Sequence, residues 1–171
     1  NAKFDVAALS AVLPKFTWPW HKTHDTLMAG HLLASNQPHD LTSMTLQYLD
    51  IDIRHYEDDL EKACKEARSL VRSAYKDWRI ANSSLPELPS AGESSWKHDT
   101  WLPRHLALEL RHDKDHPWMT ALRDYSNSDS ASTIQVWIVQ ERELKKRGLW
   151  EIYLERMKVL PVCWAMEKRG V

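Results

Sequence analysis

Apolar side chains recur at three- and four-residue steps along most of the chain, so the pattern predicts helices almost throughout. Val6, Leu9, Val12 and Leu13 predict one short helix, stopped by Pro14 and the turn-forming Trp18-Pro19-Trp20. Thr23 or Asp25 is placed to cap a second helix carrying Leu27, Met28, His31 and Leu32. A polar stretch, Ser35 to Asp40, then leads into a third helix with Leu41, Met44, Thr45 and Tyr48.

The clearest amphipathic pattern runs from Tyr56 to Ala81, where Leu60, Ala63, Cys64, Ala67, Leu70, Val71, Ala74, Tyr75 and Trp78 alternate with Glu, Lys and Arg. Such a helix packs one stripe on a core and solvates the other. Asn82 to Trp101 lacks periodicity and reads as a loop or insertion, followed by a helix over Leu102 to Arg111. Pro117 can open a long helix through Trp118, Leu122, Tyr125, Asp129, Thr133, Val136, Trp137 and Leu144, which Gly148 interrupts. Leu149 to Lys168 repeats helical spacing, with Pro161 expected to bend it and Gly170 to end it. Ile51-Asp52-Ile53 is too short to count as a strand, so the chain reads as mainly α.

Composition narrows the function classes. Across 171 residues, 23 Lys and Arg nearly balance 24 Asp and Glu, so overall charge does not mark a nucleic-acid binder and any such surface must be local. Four isolated glycines rule out a Walker A loop or a dinucleotide fingerprint, both of which need closely spaced glycines. The two cysteines, Cys64 and Cys163, have neither CxxC nor finger spacing, and the simpler reading is a reduced, cytoplasmic setting. No apolar run approaches the roughly 20 residues of a membrane span, and no signal-peptide pattern precedes the first helix.

Phosphodiester hydrolysis by two metal ions needs acidic oxygen ligands and a group that orients the attacking water. Tyr125 and Asp129, four residues apart, share one helical face, and Asp5 lies just ahead of the first predicted helix. Spacing alone leaves an exposed hydrogen-bonding pair as the alternative.

The segment Asn1-Ala2-Lys3-Phe4-Asp5 resembles the second exonuclease motif of family A (DNA polymerase I type) DNA polymerases, Asn-x-Lys-Tyr/Phe-Asp. The run from Asp25-Thr26 through Leu33 to Ser35, then His39-Asp40-Leu41 and Ser43-Met44, is similar to the helices that follow that motif. Tyr125-Ser126-Asn127-Ser128-Asp129, with Thr133 beyond it, resembles the third motif, Tyr-x-x-x-Asp. Gly148-Leu149-Trp150, Leu160-Pro161-Val162 and Met166 to Val171 resemble the helix that leads from the exonuclease toward the polymerase thumb.

The resemblance implies a ribonuclease-H-like α/β 3′-to-5′ proofreading exonuclease that acts on the single-stranded 3′ end of DNA with Mg²⁺ or Mn²⁺. Residues 1–147 would be part of that domain, with a divergent insertion at about 53–118, and 148–171 a connecting helix. Asp5 would hold one metal, Asp129 the other, and Tyr125 would position the water; Asn1, Lys3 and Phe4 would lie near the substrate strand. The first motif, Asp-x-Glu, and the N-terminal strands would precede Asn1, and the polymerase domain would follow Val171. The chain alone would therefore be inactive, expose apolar helix faces and tend to self-associate. The alternative is a non-catalytic DNA-binding or structural module, a degenerate exonuclease domain.

Two further readings concern residue type. His21, His24, His31, His98, His105, His112 and His116 invite a zinc site, but no HExxH or paired Cys accompanies them, and hydrogen-bonded or exposed histidines are expected. Trp96, Trp101 and Trp118 could stack on single-stranded bases, whereas Trp137, Trp150 and Trp164 are expected to pack.

Overall fold

A computed structural model describes residues 2–13, 15–81, 113 and 115–170, and all their regular structure is helical. The α-helices are α1 (Ala2–Val12), α2 (Thr26–Leu33), α3 (Leu41–Leu49), α4 (Arg54–Ala81), α5 (Pro117–Lys146), α6 (Trp150–Met157) and α7 (Val159–Arg169), with a 3-10 turn at Trp20–Lys22. The loop expected over 82–101 and the helix over 102–111 lie outside the described residues, as do Trp96 and Trp101.

Local chemistry sets the helix ends. Asp25 and Asp40 cap α2 and α3, their carboxylates accepting the N–H of Met28 and Ser43. Gly148 and Gly170 take positive φ, 67° and 81°, which stops α5 and α7 where a side chain would strain the backbone. Pro161 acts three residues earlier than its own position. Lacking an N–H and clashing with the carbonyl four residues before it, it breaks the helix after Met157, so that it sits in the first turn of α7.

The chain divides into two compact units, 1–52 with 130–171 and 53–129. In the first, α2 packs on α6, α1 on α7 and α6 on α7. Ala29, Leu33, Leu144, Tyr153 and Met157 form its core, closed by Trp137, Trp150 and Leu160. Trp137 and Trp150 thus pack, as their spacing predicts. The first helix departs from its predicted stripe, however: Val6 is fully buried, but Leu9, Val12 and Leu13 are 40%, 76% and 50% exposed. α1 is held at its N-terminal end, through Ala2, Val6 and the Asp25 carboxylate, and the same face opens toward Leu13.

That carboxylate is a two-helix clamp. Oδ1 of the buried Asp25 accepts the Met28 N–H at 3.0 Å and Oδ2 accepts the Ala2 N–H at 2.8 Å, so it satisfies an orphan donor at the start of both α2 and α1. A second polar group the periodicity does not single out, Gln140, is also fully buried. Its amide donates to the Thr26 carbonyl at 3.1 Å, while its Oε1 has no partner.

In the second unit, Cys64 and Ala67 of α4 pack with Leu60 and Trp118. The Trp118 indole N–H donates to Glu66 at 3.0 Å, which satisfies its polar end. Leu70 of the predicted α4 stripe is 62% exposed.

Candidate functional site

The first unit carries an open groove of about 560 Å³ lined by Asp5, Thr26, Leu27, His39, Asp40, Leu41, Met44 and Thr133. Asp5 lies within α1, not ahead of it: once Asp25 caps the amide of Ala2, the helix starts early enough to include it. Its carboxylate is solvent-exposed. Of its neighbours in the motif, Lys3 turns away to pair with Glu167 of α7 in an ion pair that holds its pKa above the ordinary value, and Phe4 is 68% exposed. Asn1 lies outside the described residues.

A close approach of backbone to side chain shapes the groove floor. A Cβ on Gly30 would fall 2.8 Å from Cδ2 of His39 and 3.2 Å from Sδ of Met44, so only glycine lets α2 lie this close to them. His39 is fixed by Nε2 at 3.0 Å from the Ala34 carbonyl and by stacking on His31 at 3.8 Å between ring centroids. The Asp40 carboxyl is held below its ordinary pKa by the Ser43 N–H, so it stays anionic at the groove edge.

The second unit holds the Tyr125 and Asp129 pair, one turn apart on α5, with the hydroxyl hydrogen-bonded to the carboxylate. Partial burial raises the Asp129 pKa and the Tyr125 hydrogen bond pulls it back down. Burial, with help from Asp129 and Glu57, pushes Tyr125 up to about 12, so the phenol keeps its proton and remains a donor. Sequence spacing thus placed this pair correctly on one face. Asp5 belongs to the other unit.

Hard carboxylate oxygens such as these suit Mg²⁺ or Mn²⁺, which retain several waters and need few protein ligands. Among the described residues, no group of three or more His, Cys, Asp or Glu could hold a metal ion. A divalent ion here would rest on single carboxylates and water. The histidines likewise form no such group: His24 stacks on Trp137 at 4.2 Å, and desolvation lowers its pKa, keeping it neutral near pH 7.

No family model, curated protein or solved structure matches the chain. No helix among the described residues is long and apolar enough to cross a membrane. Function must therefore be read from the groove and the Tyr125–Asp129 pair. Sequence reasoning did not pick Thr26, His39, Asp40, Met44 or Thr133 as site residues. Their only signal in the sequence is that they fall inside segments that resemble the family.

Proposed function

We propose that this chain is part of a 3′-to-5′ exonuclease domain of ribonuclease-H-like fold from a family A DNA polymerase, acting in its parent on the single-stranded 3′ end of DNA. The observation that carries the reading is the origin of the groove. Asp5, the pair Thr26 and Leu27, the run His39-Asp40-Leu41 with Met44, and Thr133 are far apart in sequence. Each nonetheless comes from a segment that resembles the family, so segments chosen by motif alone meet at one surface.

Asp5 offers an open carboxylate, and the protonated Tyr125 hydroxyl holds the Asp129 carboxylate in one orientation. Asp5 and Asp129 would hold the divalent ions, which when bound would neutralise phosphate charge and lower the pKa of water. Apolar faces left open on α1 (Phe4, Val12), α5 (Ile134, Ile138) and α7 (Val159, Val162, Met166) support the idea that further structure packs there, or that the chain self-associates. Light scattering at high concentration checks the latter: a clean monomer would count against it.

The deciding experiment is anomalous diffraction from crystals soaked in Mn²⁺. Metal density about 2.1 Å from an oxygen of Asp5 and of Asp129 is expected, with the first lost in Asp5→Asn. Density at neither carboxylate would sink the exonuclease reading and favour the non-catalytic module.

A further inference from the structure

An aromatic ladder runs over the first unit, and none of its residues lines the groove. Phe16 meets Trp18 edge to face with centroids 6.1 Å apart, Trp18 meets Trp20 at 6.4 Å, and Trp20 meets Trp164 of α7 at 6.1 Å. The Lys168 ammonium caps the far end, 5.1 Å from the Trp164 ring centre. None of these rings belongs to the core around Tyr153. Phe16 is 53% exposed and the three tryptophans are only half-buried. Phe16 is the most open ring of the four, and the tryptophans are partly accessible beside it.

The ladder is also held in place. The Trp18 indole N–H donates to Thr23 Oγ1 at 2.7 Å, and that hydroxyl donates to the Pro19 carbonyl at 3.0 Å. Pro19 stiffens the backbone between the two tryptophans. Trp18 is therefore held in place before any ligand arrives, which lowers the entropy lost on binding.

Charge decides what fits. Lys15, His21 and Lys22 are interleaved with the rings, and Lys168 and Arg169 follow Trp164. Among the described residues, none of these four Lys and Arg side chains is in an ion pair. The one acid in the two segments, Glu167, is occupied by Lys3. Aromatic faces alternating with unpaired cations match alternating bases and phosphates. A lipid surface would instead call for a continuous apolar face with cations on the opposite side.

We propose that the Phe16–Trp18–Trp20–Trp164 ladder, with Lys15, Lys22 and Lys168, is a binding surface for single-stranded nucleic acid. It goes beyond the exonuclease reading, uses none of the groove residues and does not depend on them.

The test is titration of tryptophan fluorescence with an oligothymidylate of about 12 nucleotides, in EDTA so that no metal contributes. Quenching is expected, with affinity falling about tenfold in Phe16→Ala and in Trp18→Leu. In Lys22→Gln/Lys168→Gln the slope of log affinity against log salt should shrink by about 1.4, roughly 0.7 per lost phosphate contact. Phe16 is exposed, so its variant reports on binding even if Trp18→Leu fails to fold. The proposal is overturned if the strand does not bind at low salt, if Phe16→Ala binds as well as the parent, or if an abasic strand of the same length binds equally. Quenching by anionic vesicles with none by the strand would also overturn it and mark a membrane contact. Since Mn²⁺ binding at Asp5 is read separately, either reading can fail alone.

Discussion

The hydroxyl oxygen of Tyr153 accepts the backbone N–H of Asp25 at 2.9 Å, joining the residue that caps α2 to a helix 128 positions along the chain. Because the Asp25 side chain also caps α1, this contact ties three helices together. Tyr153 is fully buried, and that burial raises its pKa, so the hydroxyl stays neutral at any ordinary pH.

Tyr153→Phe should therefore leave ring packing against Trp137 and Trp150 intact and orphan one buried N–H. The expected loss is about 1–3 kcal/mol, a fall of roughly 3–10 °C in melting temperature for a chain of this size. An unchanged melt would show that water replaces the hydroxyl without loss.

Gly30→Ala pits helix propensity against space. Alanine in a helix interior is favoured over glycine by about 1 kcal/mol, but its methyl would sit 2.8 Å from His39 Cδ2. Because His39 is tied to Ala34 and stacked on His31, the clash should win, for a net loss of about 1–3 kcal/mol. In the His39→Ala background the same change should become neutral or stabilising. A double-mutant cycle by urea denaturation reads this directly, and simple additivity would mean that His39 yields freely.

The Tyr125–Asp129 pair predicts a pH dependence. Burial raises the Asp129 pKa above its ordinary value, so the folded state holds its proton more tightly than the unfolded chain. Its contribution to stability is greatest below the unfolded pKa and declines as pH rises through the folded one. Asp129→Asn should consequently be at least as stable as the parent near pH 7, and lose that advantage in acid. Tyr125→Phe removes the hydrogen bond that lowers the Asp129 pKa, so the carboxyl should titrate still higher. NMR titration of the Asp129 carboxyl checks both signs; a downward shift in Tyr125→Phe would refute the account.

Helix existence was legible in the sequence because its signals are local. The cap at Asp25, the glycines at 148 and 170 and the interruption around Pro161 each act within one or two turns. So does the Tyr125–Asp129 spacing, which needs only a continuous helix to put both groups on one face.

How far burial extends along each predicted face was not legible. Leu9, Val12 and Leu13 have helical spacing yet stay exposed, while Asp25 and Gln140 are polar and buried. Burial depends on what the rest of the chain brings near each face, and period alone does not encode it. The same holds for the groove. The sequence by itself determined that the described segments are mostly helical and that Tyr125 and Asp129 share a face, but not that α1 starts at Ala2 or that α6 stops at Met157. Only the tertiary structure decided that Asp5, Thr26, His39 and Thr133 line one surface and that Asp25 clamps two helices, because these contacts join residues tens of positions apart whose meeting depends on how the helices pack.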